Sequence, residues 1–193
     1  MANTIMRRLA LAATLLVAGC FVEPEKTIVE PGAAIDRRPE GVWVYTEGRG
    51  FIALAIVADD DALRVDLIRY EPEKPRIVHN RFRVRTTRIA AADYFEAEHL
   101  GPHLFWSPDT LVRKFVARYE LASADRLALA FPGVSAIEAA VRDGRLAGVS
   151  HGGAWERAVR LGSDAATLRA HLAAMPSADY PNKLVFRRAS PEP

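Results

Sequence analysis

Between residues 41 and 131 the apolar side chains recur at every second position in short runs, with turn residues between the runs. No other feature restricts the fold as much, because a period of two sets one face of each run against a core and the other toward water. Residues 41–46 (GVWVYT) and 51–57 (FIALAIV) flank Glu47-Gly48-Arg49-Gly50, which reads as a hairpin loop. Asp59-Asp60-Asp61 turns the chain into 63–70, where Val65 and Leu67 alternate with Arg64 and Asp66. Pro72 and Pro75 mark a loop, after which residues 77–89 set Phe82 and Val84 against Arg81, Arg83 and Arg85. A short strand is expected at 94–99, followed by a long connection broken by Gly101-Pro102 and Pro108. Residues 112–121 carry Phe115, Ala117, Tyr119 and Leu121 at period two, and 126–131 carry Leu127, Leu129 and Phe131.

Two helices interrupt the C-terminal half. Ser135-Ala-Ile-Glu138 reads as a capping box, with Val134, Ile137 and Val141 on one face and Gly144 at the left-handed end. Ser163 is expected to cap the second helix, with Asp164 near its positive end, a stripe of Leu168, Leu172 and Met175, and Pro176 as the stop. Residues 145–150 and 154–161 pair as a hairpin across His151-Gly152-Gly153, and 184–188 is a last strand. The expected fold is mainly β: about eight to ten antiparallel strands curled into a lipocalin-like barrel or half-barrel, with two short helices at its side or mouth. An α+β sheet with helices on one face is the alternative.

Ahead of this domain lies MANTIMRRLALAATLLVAGC, in which Arg7 and Arg8 precede a ten-residue apolar run, Leu9 to Ala18. A membrane-spanning helix needs about 20 such residues, so the run reads as a secretory signal, with general secretion expected. Its end, Val17-Ala18-Gly19-Cys20, resembles the lipobox of bacterial lipoproteins. The resemblance implies that 1–19 are removed, that the Cys20 thiol receives a diacylglycerol, and that the new amino group is acylated. Phe21 rather than Asp follows the Cys, so in a Gram-negative cell the pattern is similar to that of lipoproteins carried on to the outer membrane. One Cys in the chain excludes a disulfide framework, a Cys-based zinc site and CxxC redox chemistry.

Residues 20–40 contain Pro24, Pro31 and Pro39 and no apolar period, which reads as a lipidated Cys followed by a flexible tether of about 25 Å reach. Residues 41–193 then form a single globular domain. The whole chain has 26 Lys and Arg against 24 Asp and Glu; loss of the leader takes two Arg with it and leaves a neutral protein. Such a balance offers no argument for nucleic-acid binding.

Several constellations compete as sites. Gly148-Val-Ser150-His-Gly152 matches GxSxG, and Asp164 and His171 follow in hydrolase order. Seven residues apart on one helix, those two lie about 10 Å apart along the axis, which favours a Gly-rich hairpin turn over a triad. His99 and His103 have zinc spacing, but Gly101-Pro102 between them forbids the aligning helix, so no metal or other cofactor is expected. Asp59-Asp60-Asp61 lacks the alternation of a calcium loop and reads as a turn. Arg81, Arg83 and Arg85 share one strand face at spacings of about 6.6 Å, a candidate anion-binding face unless acids on the next strand pair with them. Trp43, Tyr45, Phe51, Phe82, Phe115, Tyr119 and Phe131 would either fill the core or line a pocket for an apolar ligand.

From Phe82 onward the chain is similar to small proteobacterial lipoproteins of uncharacterised function. The likeness lies in Tyr94-Phe-Glu, Tyr119-Glu-Leu with Leu127-Ala-Leu, a short amphipathic helix and Leu184-Val-Phe-Arg-Arg. It implies a mostly β domain behind a lipid anchor and carries no activity. The expectation is a non-enzymatic, membrane-anchored envelope protein that binds a lipid, glycan or protein partner. A carrier of small apolar ligands and a hydrolase using Ser150 are the alternatives.

Overall fold

The structure, a computed structural model, describes residues 21–72, 76–101, 114–151 and 157–189. Its strands are β1 (Phe21–Pro24), β2 (Gly41–Glu47), β3 (Gly50–Asp59), β4 (Ala62–Glu71), β5 (Arg76–Ile89) and β6 (Ala92–His99). They continue as β7 (Lys114–Ser123), β8 (Arg126–Phe131), β9 (Gly148–His151), β10 (Ala158–Leu161) and β11 (Asn182–Arg188). Helix α1 (Val134–Arg142) follows β8, and α2 (Ala165–Ala174) follows β10.

Strands β2 to β8 run as an antiparallel meander, and β11 closes it into an eight-stranded barrel by pairing with both β8 and β2. The turns are tight where the sequence supplies turn residues. Gly48 takes φ +58° between Glu47 and Gly50, and Asp60 takes φ +52° between β3 and β4. Alternation is compatible with closure, because every strand presents an apolar face to a common interior, and the pairing of β11 with both β8 and β2 completes it. Eight strands leave an interior that side chains can fill. Trp43, Leu54, Ile56, Leu63, Val65, Val84, Phe95, Ala117, Leu127, Leu129 and Phe186 are buried there in one contiguous cluster. Each large side chain removed from water contributes roughly 1.5–3 kcal/mol. Of the aromatic residues expected inside, six belong to this interior, but Phe51 points outward, stacked on Tyr70 at 5.9 Å between ring centres. It stands one position out of step with Ile52, so the pleat turns it away from the core.

A second layer covers one side of the barrel. β1 pairs in parallel with β10, and β10 pairs antiparallel with β9. Together with the two helices they bury the outward residues Ile89, Tyr94 and Val116 under Val22, Ile28, Ile137, Val159, Leu161, Leu168 and Leu172. This is why Tyr94, Phe95, Glu96 and Ala97 are buried in succession, without alternation: β6 is covered on both faces. The Tyr94 hydroxyl donates to Leu172 O and meets the Tyr180 hydroxyl at 2.9 Å, which ties the barrel to the layer.

The expected flexible tether is corrected by this layer. Val22 and Ile28 are fully buried, Ile28 N and Thr27 Oγ1 donate to the Glu96 carboxylate at 2.6 and 2.7 Å, and Asp36 N donates to Thr86 Oγ1 at 2.6 Å. Charged and proline-containing as it is, residues 21–40 are strapped along the barrel, and Cys20 precedes β1 directly. The helix caps also differ from expectation. Gly133 is the N-cap of α1 with no side-chain bond, and Glu138 forms an ion pair with Arg157 rather than a capping box. Asp164, not Ser163, caps α2 by accepting from Thr167 N, while Ser163 Oγ accepts from Ala147 N at 2.7 Å. Gly144, at φ +73°, does end α1 in the left-handed conformation. Among the described residues no helix is long and apolar enough to cross a membrane.

Candidate functional site

While the second layer covers β6 and β7, the wall formed by β2, β3, β4 and the first half of β5 faces outward. Cross-strand register orders this wall into rows. Thr46, Phe51, Tyr70 and Ile77 form one; Val44, Ala53, Ile68 and His79 the next. Then come Val42, Ala55, Asp66 and Arg81, and after them Val57, Arg64 and Arg83. Apolar character therefore dominates where β4 ends and on β2 and β3, and charge dominates where β4 begins and along β5. Of the seven large apolar side chains exposed among the described residues, Val42, Phe51, Val57, Ile68 and Ile77 lie on this wall, and Ile77 is 70% exposed. Scattered single exposures are ordinary, whereas these five share one face.

Arg81, Arg83 and Arg85 stand on one face as the period requires, and the structure gives each an acid. Asp66 Oδ1 accepts from Arg81 Nε at 2.9 Å and from His79 Nε2 at 2.8 Å, and Arg64 Nε lies 3.5 Å from Oδ2. Asp61 is bound by Arg83, with Arg85 3.9 Å away. Burial pushes the Asp66 carboxyl up, but hydrogen bonds from Arg81 and His79 outweigh it and hold the group below the ordinary carboxylate range. Arg83 holds Asp61 down in the same way. Arg64 and Arg83 are directly opposite, an unfavourable placement that these two carboxylates offset. Glu98 opposes Arg83 and Glu96 opposes Arg85 from β6, so with Asp61 and Asp66 four arginines meet four acids on this face. The face is thus a charge-balanced network rather than a bare cationic row. His79 is the member that sequence reasoning missed, although its position two before Arg81 puts it on the same face.

The other constellations are separated by the fold. Ser150 is exposed on β9, in the three-stranded sheet. The Asp164 carboxylate is bound to Thr167 N and Oγ1 at 2.9 Å, which holds it low, and His171 lies on α2, where burial and then Arg145 lower its pKa. Nothing in this placement assembles a triad. His99 lies beside Asn80 Oδ1 at 3.1 Å and edge-on to Phe82 at 5.2 Å; His103 is outside the described residues. Among the described residues no group of three or more His, Cys, Asp or Glu is placed to hold a metal ion. Asp59 to Asp61 form the turn into β4. Cys20 also lies outside the described residues. No family model, curated protein or solved structure matches this chain.

Proposed function

We propose that this is a non-enzymatic envelope lipoprotein, anchored by acyl chains on Cys20, that docks a lipid, glycan or protein partner on the outer wall of β2 to β5. The concentration of exposed apolar side chains on that wall, beside the Arg81, Arg83 and Arg85 network, is the observation that carries the reading. The lipobox-like end of the leader supports the anchor. A thioether-linked diacylglycerol plus an amide-linked chain would hold the domain stably, since one chain alone gives only marginal binding. With residues 21–40 strapped to the barrel, such an anchor has little slack and keeps the domain against the membrane. Intact-mass analysis of the native protein tests the anchor: cleavage before Cys20 with added acyl mass is expected, and a retained Met1 without acyl mass refutes it. Capture of partners from envelope extract tests the wall. Ile77→Ser with Phe51→Ser, or Arg83→Glu with Arg85→Glu, should abolish capture while circular dichroism stays unchanged, and undiminished capture refutes the docking surface.

A carrier role is the second reading, favoured by the closed barrel and its aromatic interior. Tyr45 and Glu47 face inward at one end, where burial and then the nearby Glu47 raise the Tyr45 pKa. Native mass spectrometry should then find small-molecule adducts on freshly isolated protein; a uniformly ligand-free species counts against it.

A further inference from the structure

A second outward surface, across the barrel from the wall, carries a different chemistry. The register sets Tyr94, Arg118, Ala130 and Lys183 in one row across β6, β7, β8 and β11. Strands lie about 4.8 Å apart, so the two cationic residues stand roughly 10 Å from each other with a methyl group between them. Ala128, also outward on β8, keeps the floor low, and the turn Ser177–Asp179 with Tyr180 forms the roof of a cleft of about 150 Å³. Arg118, Lys183 and Ser177 line it, together with the acidic Glu120. Tyr180 is fixed there by its hydroxyl contact with Tyr94.

The charge arrangement is asymmetric. Lys183 Nζ has Glu120 Oε2 at 3.6 Å, a pair in which both side chains are more than half exposed and which contributes little. Asp179 belongs to the roof turn, but its side chain does not line the cleft. Arg118 is half-buried, and among the described residues its guanidinium takes neither a hydrogen bond nor an ion pair. Glu120, two positions along the same strand face, also lines the cleft but is paired with Lys183. The partly desolvated guanidinium thus has no bonded acid, an unfavourable state, and its planar fork matches a carboxylate or phosphate group. We infer that this cleft is an oxyanion-binding site, in which Arg118 engages two oxygens of a phosphate or carboxylate group while Lys183 and Ser177 Oγ supply further donors. Drug-sized ligands occupy about 300–1,000 Å³, so a volume of about 150 Å³ takes a single anionic group, free or at the end of a larger molecule. This assignment is independent of the anchor and of the β2 to β5 wall.

Calorimetric titration of the purified full chain with inorganic phosphate and, separately, with acetate, at fixed ionic strength, tests it. Saturable binding of at least one anion is expected; phosphate alone identifies a phosphate-bearing ligand, acetate alone a carboxylate, and both an unselective oxyanion site. Arg118→Gln should weaken binding about tenfold or more, because charge-assisted bidentate contacts are the strong ones. Arg142→Gln, on the exposed last turn of α1 and outside both surfaces, should leave it unchanged. Absence of saturable binding to either anion, or equal affinity in Arg118→Gln, overturns the assignment. If Arg118→Gln does not fold, Ser177→Ala on the exposed roof serves instead: about threefold weaker binding supports the site, and undiminished affinity overturns it.

Discussion

The Tyr119 hydroxyl donates a 2.6 Å hydrogen bond to Asp36 Oδ2, joining the interior of β7 to the strap that precedes β2, 83 positions away. Asp36 Oδ2 also accepts from Arg38 Nη2 at 2.5 Å, and Arg38 continues to Asp93 Oδ2 at 2.8 Å, so one barrel end is closed by a charged latch. Tyr119→Phe is expected to lower the unfolding free energy by about 1–2 kcal/mol in urea titrations, the usual loss for a hydrogen bond to a charged group. Burial pushes the Asp36 carboxyl up, but the bonds from Arg38 and Tyr119 win and hold it below its ordinary 3.8. A carboxyl depressed on folding stabilises fully above 3.8 and loses that contribution as pH falls through its folded value, so the gap between wild type and Tyr119→Phe should narrow below about pH 4. Burial and then Asp36 raise the Tyr119 phenol above 10, so its contribution persists at neutral pH and declines as pH rises past 10.

Glu96 is the buried hook for the start of the strap, accepting from Thr27 Oγ1 and Ile28 N. Glu96→Ala leaves both donors without their acceptor under the second layer and should destabilise by about 2–4 kcal/mol. Hydrogen exchange at Ile28 should accelerate before that of β3 and β4, because the strap opens locally while the barrel stays closed. Equal protection of Ile28 in the variant and the wild type would contradict the hook.

Gly148 and Ser150 separate packing from chemistry within the GxSxG match. A Cβ at Gly148 would stand 2.8 Å from Arg160 O and 2.9 Å from Leu161 Cδ2. Gly148→Ala should therefore destabilise by about 1–3 kcal/mol through overpacking. Ser150→Ala, on an exposed position, should change stability by less than about 0.5 kcal/mol. Neither wild type nor Ser150→Ala is expected to react with a fluorophosphonate probe; labelling that disappears in Ser150→Ala would revive the hydrolase reading.

Arg188 seals the seam where β11 meets β2. Its guanidinium lies 4.3 Å from the Trp43 ring centre and donates to Ala124 O and Glu40 O at 2.8 Å. Arg188→Ala should cost about 1–2 kcal/mol, combining an exposed cation–π contact with lost hydrogen bonds. Trp43 fluorescence should shift to the red if water reaches the ring, and an unchanged spectrum with unchanged stability would count against the seam.

Alternation made the barrel strands readable residue by residue: Val65 and Leu67 inward against Arg64 and Asp66 outward, Leu127 and Leu129 inward on β8. The arginine face was readable for the same reason. Pairing with acids on the next strand was readable as its alternative; which acids was not, because Asp66 meets Arg81 through the β4–β5 register and Asp61 reaches Arg83 from the turn before β4. Strand β6 read as a short run, since a strand buried on both faces loses its period. β1 was invisible: four residues ending in Pro24 carry little pattern, and their partners on β10 are remote, as the 137 positions between Glu23 and Arg160 show.

Taken alone, the order of residues determined which side chains of the barrel strands face a core and where the turns fall. These follow from local backbone geometry, which each short segment carries with it. Tertiary structure decided that the meander closes through β11, that residues 21–40 lie against the barrel, and which wall stays uncovered. Those outcomes depend on contacts between distant segments, where the free energy comes from surfaces that meet only once the chain has folded.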